Sequence, residues 1–228
     1  MAALITTLID KRDNVEIMLE QIALILAVES AHQVILAFNA VKENPDDWKL
    51  RVYVERANPW DEWLHGNEVD VPDQSPVINV SFDNENFDAS RSDPVERQMA
   101  SATYNIDCYG YGISSDNGDG THVAGDRAAA IESMRAARLV RNILMAGPYT
   151  YLANRGIVSR RWPTMIGLFV PPKNERTIDN VRGCRIALQV DFNEFSPQVE
   201  GQIIELISAQ VTRAADGALL VQTDLPIT

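Results

Sequence analysis

The chain has 228 residues, 46% of them hydrophobic, with four tryptophans and a formal charge of -12. That length and apolar content support one large core and exclude wholesale disorder. The acidic balance disfavours a DNA-binding domain or adhesion to anionic membrane, although it suits a channel through which DNA slides without sticking.

The N-terminal stretch MAALITTLIDKRDN has neither a basic start nor a long apolar run, so it does not read as a signal peptide. No segment approaches the roughly 20 apolar residues of a membrane helix. Cys108 and Cys184 are far apart in sequence and form no CxxC pair; a disulfide between them is conceivable, but nothing points to an oxidising compartment. These features predict a soluble protein made in the cytoplasm.

In chain order, Asp13 followed by Glu16 reads as a helix N-cap with a capping-box acid. Val15, Met18, Leu19, Ile22, Ile25 and Leu26 then follow helical spacing to about Glu29. A second helical stretch is expected from His32 to about Lys42, stopped at Asn44-Pro45. Alternation predicts strands over 50–56 and 76–82, the latter with Ile78, Val80 and Phe82 on one face. Between them, 58–63 reads as a turn of helix carrying Trp60 and Trp63, and 66–75 as a loop. Residues 83–94 are acidic and turn-rich, so a loop or arm is expected there.

From Met99 a strand places Ala102, Tyr104, Ile106 and Cys108 on one face, and Gly110 and Gly112 are read as ending it. A polar loop, 114–125, precedes the best helix of the chain, about 126–145, closed by Gly147-Pro148. On that helix Ala130, Met134, Ala137, Val140 and Leu144 form the expected apolar stripe. Further strands are predicted over 157–170 and 182–194. The C-terminal segments 203–212 and 218–223 read as a hairpin around Gly217. The order of helix, strands, helix, strands predicts a single α+β domain over 1–228. Two helices would cover one face of a largely antiparallel sheet, with an arm or insertion at 66–94 and a hairpin extension at 200–228.

Motifs for chemistry are scarce. Phosphate-loop, HExxH and GxSxG patterns are absent, and His32, His65 and His122 lack metal-ligand spacing. In the loop after Gly112, Asn117, Asp119 and Gly120 match three places of a calcium loop. Ser115 in the first place and Asp126 in the last do not, which favours a plain Gly/Asp loop. Trp60 and Trp63, beside Asp61 and Glu62, form either a carbohydrate platform or, more simply, an anchor to the core or to a neighbour. No catalytic residue, metal or cofactor is expected.

The informative feature is the central helix. Arg127, Arg135, Arg138 and Arg141 fall within about a third of its circumference at about 100° per residue, offset only by Asp126 and Glu132. In a chain this acidic the row faces either the chain's own carboxylate-rich loops, or acidic surface on an adjacent copy, or DNA in a pore.

The helix entry Asp10-Lys11-Arg12-Asp13-Asn14-Val15-Glu16-Ile17, the strand 102–112 with its Tyr/Gly end, the helix AAAIESMRAARLVRNIL and the strand ending Val190-Asp191-Phe192 together resemble the tail terminator and neck proteins of long-tailed bacteriophages. The resemblance covers most of 10–195 in element order. It implies a non-enzymatic virion subunit, assembled in the host cytoplasm, that closes into a hexameric ring capping the tail tube. Implied partners are other copies of itself, the tail tube protein, the sheath of a contractile tail, and a head-side connector or stopper protein, with genomic DNA passing through unbound. Arg127, Arg135, Arg138, Arg141, Trp60 and Trp63 are then candidate subunit contacts. The alternatives are another neck, sheath-associated or baseplate component, or a small carbohydrate-binding or hydrolase module.

Overall fold

In the computed structural model, Asp13 caps the first helix as its place in the sequence predicts. Its carboxylate accepts the Glu16 N–H at 2.8 Å, and helix α1 runs from Asn14–Ser30. The structure describes residues 13–32, 50–60, 75–90, 97–112, 114–116, 118, 120–172, 180–195, 206–212 and 219–226; for 97, 194–195, 206–212 and 219–226 it describes the backbone alone. The predicted second helical stretch to Lys42, Trp63 and the loop 66–74 lie outside the described residues.

The chain divides into two compact units, Lys11–Phe195 and a second that joins Met1–Asp10 to Ser196–Thr228. The first holds a five-stranded sheet built from β1 (Arg51–Val54), β2 (Val77–Asp88), β3 (Arg97–Tyr111), β6 (Val158–Phe169) and β7 (Val181–Phe195). Their order is β1-β2-β3-β7-β6. Only the β1–β2 pair is parallel; the other pairs are antiparallel. Between β3 and β6 come a small hairpin, β4 (Ser115–Asp116) and β5 (His122–Val123), then helix α2 (Gly125–Leu144) and a 3-10 turn, Gly147–Tyr149. The second unit contains the antiparallel hairpin of β8 (Leu206–Thr212) and β9 (Leu219–Pro226). This is the α+β class read from the sequence.

Period-two alternation sets the core. Tyr104, Ile106 and Cys108 of β3 lie opposite Leu188, Ile186 and Cys184 of β7, all buried beneath α1 and α2 with Met18, Ile22, Leu26, Val140 and Leu144. Each fully buried Leu or Ile there contributes about 1.5–3 kcal/mol. The two cysteines are free, buried thiols in directly opposed positions.

Three expectations are corrected. Residues 83–88 are not a loop: β2 continues to Asp88, held by pairing with β3 as far as Asp88↔Met99, with a bulge between Phe82 and Asn84. Turn-forming residues were outweighed there by a long partner strand. Gly110 does not end β3 but lies inside it; the strand runs to Tyr111 and stops at Gly112. Their role is close approach. A Cβ on Gly110 would sit 2.5 Å from the Ala129 carbonyl oxygen, and one on Gly112 would sit 2.1 Å from that of Gly125.

That approach explains the third correction. α2 turns Ala129, Ser133 and Ala136 toward the sheet along with Ala137, Val140, Ile143 and Leu144, while Met134 is exposed and Ala130 half-buried. Small side chains fit against glycine backbone where Met134 would not. Ser133 is tolerated inside because its hydroxyl donates to the Ala130 carbonyl at 2.9 Å.

The C-terminal end of α2 is fixed by β6. Arg161 donates from Nε to the Tyr149 carbonyl at 2.6 Å and from Nη2 to that of Ala146 at 2.9 Å, satisfying carbonyls beyond the helix end. No helix among the described residues is long and apolar enough to cross a membrane.

Candidate functional site

The arginine row on α2 is solvent-facing. Arg127, Arg135, Arg138 and Arg141 are all exposed, on the side of the helix turned away from the glycine contact. Arg135 is engaged by Glu132 at 3.1 Å, one turn back on the same helix. Arg127, Arg138 and Arg141 have no ion-pair partner among the described residues. Arg141 also lines, with Met145, Pro163, Thr164, Met165 and Ile166, an open groove of about 400 Å3 between α2 and the edge strand β6.

Trp60 lies elsewhere. Its ring is buried, 5.2 Å from that of Tyr109, in a small second core with Val77 and Val181, against which Phe169 packs. Trp60 is therefore anchored in the core, one of the two anchors read from the sequence. A ring enclosed in this way has no free face on which a sugar could stack.

The sheet face opposite the helices carries a polar network that the sequence reading did not single out. Asp107 of β3 is buried and accepts from Nε and Nη2 of Arg185, its cross-strand partner on β7, at 2.7 and 2.8 Å. The Tyr109 hydroxyl donates to the same carboxylate at 3.3 Å. Further along the sheet, buried Asp191 accepts from Arg160 Nε at 2.8 Å and from the Ser101 hydroxyl at 2.7 Å, and Gln189 donates to Ser101 in turn. Each guanidinium also lies over an aromatic ring, Arg160 at 4.3 Å from the Trp162 centroid and Arg185 at 5.4 Å from that of Phe169.

Each acid and base here sits at an alternate position of a strand, where a lone sequence reads it as a solvent-facing residue. Only the β3–β7 register, which places Asp107 opposite Arg185, reveals the pair. Chemically these carboxylates are acceptors already occupied by guanidinium and hydroxyl donors, an arrangement that fixes strands to one another.

Burial, and next to it the Asp107 carboxylate, push the Tyr109 phenol above the ordinary tyrosine range. An acid whose folded pKa lies above its unfolded value of about 10 keeps its stabilising contribution below that pH and loses it as pH rises further. Urea midpoints are therefore expected to fall above pH 10, and Tyr109→Phe to remove part of that fall. Identical pH profiles for the two proteins would show that this phenol ionises freely in the fold.

The loop after β3 forms the β4–β5 hairpin, across which Nδ1 of His122 and Asp116 lie 2.7 Å apart, both exposed. Asn117 and Asp119 lie outside the described residues. Among the described residues no group of three or more His, Cys, Asp or Glu side chains is placed to hold a metal ion.

No protein-family model matches the chain, and no curated protein matches it either.

Proposed function

We propose that this chain is a structural assembly subunit, a ring-forming tail terminator at the head–tail junction of a long-tailed phage. The observation that carries the assembly role is the arginine row. A protein of charge -12 holds Arg127, Arg138 and Arg141 exposed on one helix, with no ion pair to any described residue of the same chain. The complement proposed for it is acidic surface on another copy; a contact between unlike patches repeats head to tail and gives a ring when the rotation between copies closes. The resemblance to terminator and neck proteins supplies the position in the particle. Its implied contacts are the tail tube, the sheath of a contractile tail, and the head-side connector or stopper, with DNA passing an acidic lumen.

Arg138 and Arg141 are the informative positions, because Arg135 is already held by Glu132. The double variant Arg138→Glu/Arg141→Glu is expected to sediment as a monomer where the native chain is oligomeric. Its melting temperature should hold, since exposed substitutions change stability by only about 0.5 kcal/mol. Unchanged assembly in that variant would reject the role assigned to the row.

A further inference from the structure

Cys108 and Cys184 are the chain's two cysteines, and the fold sets them directly opposite each other on the neighbouring strands β3 and β7. Both belong to the core on the helix face of the sheet. The Gly112 N–H donates to the Asn180 carbonyl at 3.1 Å, continuing the ladder past Tyr111↔Val181. Hydrogen-bonded pairs recur at every second residue of an antiparallel ladder, so Cys108 and Cys184 form one of them. Opposed Cα atoms in such a pair stand about 5.5 Å apart, inside the roughly 4.4–6.8 Å that a disulfide spans. Opposed Cβ atoms stand roughly 4.5–5.5 Å apart, against the roughly 3.5–4.5 Å of a disulfide. A bond at this place draws β3 and β7 slightly together, and bonds closed under tension are the readily reduced kind. The Cys108 thiol lies 3.9 Å from the Ile106 carbonyl oxygen, a weak contact that costs little to give up.

Burial separates this pair from any oxidant in solution. Cys108 is wholly enclosed and Cys184 is 2% exposed. Their cover is α2. Ala136, Ala137 and Val140 of that helix share the core with both thiols. Gly110, two residues along the same strand face from Cys108, is where the backbone at Ala129 and Ser133 comes closest. Burial also pushes both thiols above their ordinary range, so the closed fold holds little of the thiolate that attacks a disulfide.

We propose that Cys108 and Cys184 are a latent redox site. When α2 lifts from β3, a small-molecule disulfide such as oxidised glutathione converts the pair to a cross-strand disulfide, which thiols reopen. In the first step one cysteine loses its proton, and its thiolate attacks a sulfur of the oxidant. A mixed disulfide forms and one glutathione thiolate leaves. The second cysteine, deprotonated in turn, attacks the sulfur of the first, which forms the Cys108–Cys184 bond and expels the second glutathione thiolate. The two protons pass to the two leaving thiolates. The cysteines lose two electrons and the oxidant gains them. Oxidation is thereby coupled to movement of the helix that carries the arginine row.

Incubating the full chain with excess oxidised glutathione, followed by intact mass and peptide mapping, tests the site. Gly112→Ala, whose added Cβ meets the Gly125 carbonyl oxygen at 2.1 Å, loosens the cover. A Cys108–Cys184 link should form slowly in the native protein and about tenfold faster or more in Gly112→Ala, because exchange then follows local opening. Dithiothreitol should reverse the link, and the linked protein should keep a cooperative melt. Should Gly112→Ala fail to fold, the native chain in urea below its unfolding transition supplies the loosened state. Cys184→Ser, with no second thiol, gives the mass of the unlinked adduct. Equal rates in the closed and loosened states would show that burial is not the gate. Glutathione adducts on both cysteines without a link, links between copies, or thiols left unmodified in the loosened state would show that the register does not admit the bond. So would a linked protein that has lost its cooperative melt. Each of these results overturns the proposal.

Discussion

Gly112→Ala is expected to be among the most damaging single-methyl additions in this protein. The added Cβ would lie 2.1 Å from the Gly125 carbonyl oxygen and 2.4 Å from the Ala129 nitrogen, both backbone atoms of α2, which cannot rotate out of the way. Relief requires moving the first turns of the helix off the sheet, which opens the contact of Ala129, Ser133 and Ala136 with β3. The expected loss is about 3 kcal/mol, or on the order of 10 °C in melting temperature. Gly110→Ala should behave in the same way, since its Cβ would meet the Ala129 oxygen and the Ser133 nitrogen at 2.5 and 2.6 Å. Gly156→Ala is the matched control: nothing lies within 4 Å of its Cβ, and it should be near neutral. Thermal melts of the three variants decide the matter, and equal stability of Gly112→Ala and Gly156→Ala would refute the close packing described.

The second large effect is expected at the buried ion pair. Arg185→Met leaves Asp107, only 4% exposed, without the two N–H groups that hold its carboxylate. Removing one member of a buried pair costs about 3–5 kcal/mol, because the remaining charge is desolvated and uncompensated. Arg185 is itself partly exposed, its side chain retaining 39% accessibility, so water reaching the vacated space places the loss near 3 kcal/mol. The double variant Asp107→Asn/Arg185→Met removes the stranded charge and should regain much of the loss. Urea unfolding of the two single variants and the double gives the coupling between the side chains. Additive losses would mean that the pair contributes nothing as a pair.

Elements with strong periodicity were legible in the sequence. The α1 cap at Asp13, the alternation of β3 and β7 and the length of α2 each follow from local rules, and together they fix the α+β class. The orientation of α2 was not legible. Hydrophobicity alone points to Met134, yet Ala129 and Ser133 face the sheet, because Gly110 in β3 and Gly112 just past its end bring the helix too close for a larger side chain. The outer half of β2 was hidden for a similar reason. Asp83, Asn84 and Asn86 suggest a turn, and the long partner β3 holds them extended. Of the candidate contact residues, the arginine row was visible as a charge pattern on one helix, whereas the groove beside Arg141 needed the placement of β6. The Asp107–Arg185 pair depends on strand register, which one sequence does not specify.

Copies of this chain are proposed to associate through unlike surfaces. Sedimentation velocity of the native protein across a range of concentrations, beside the Arg138→Glu/Arg141→Glu variant, tests it most directly. A discrete, ring-sized species is expected for the native chain and a folded monomer for the variant. A native chain that stays a 25.4 kDa monomer at every concentration would contradict it.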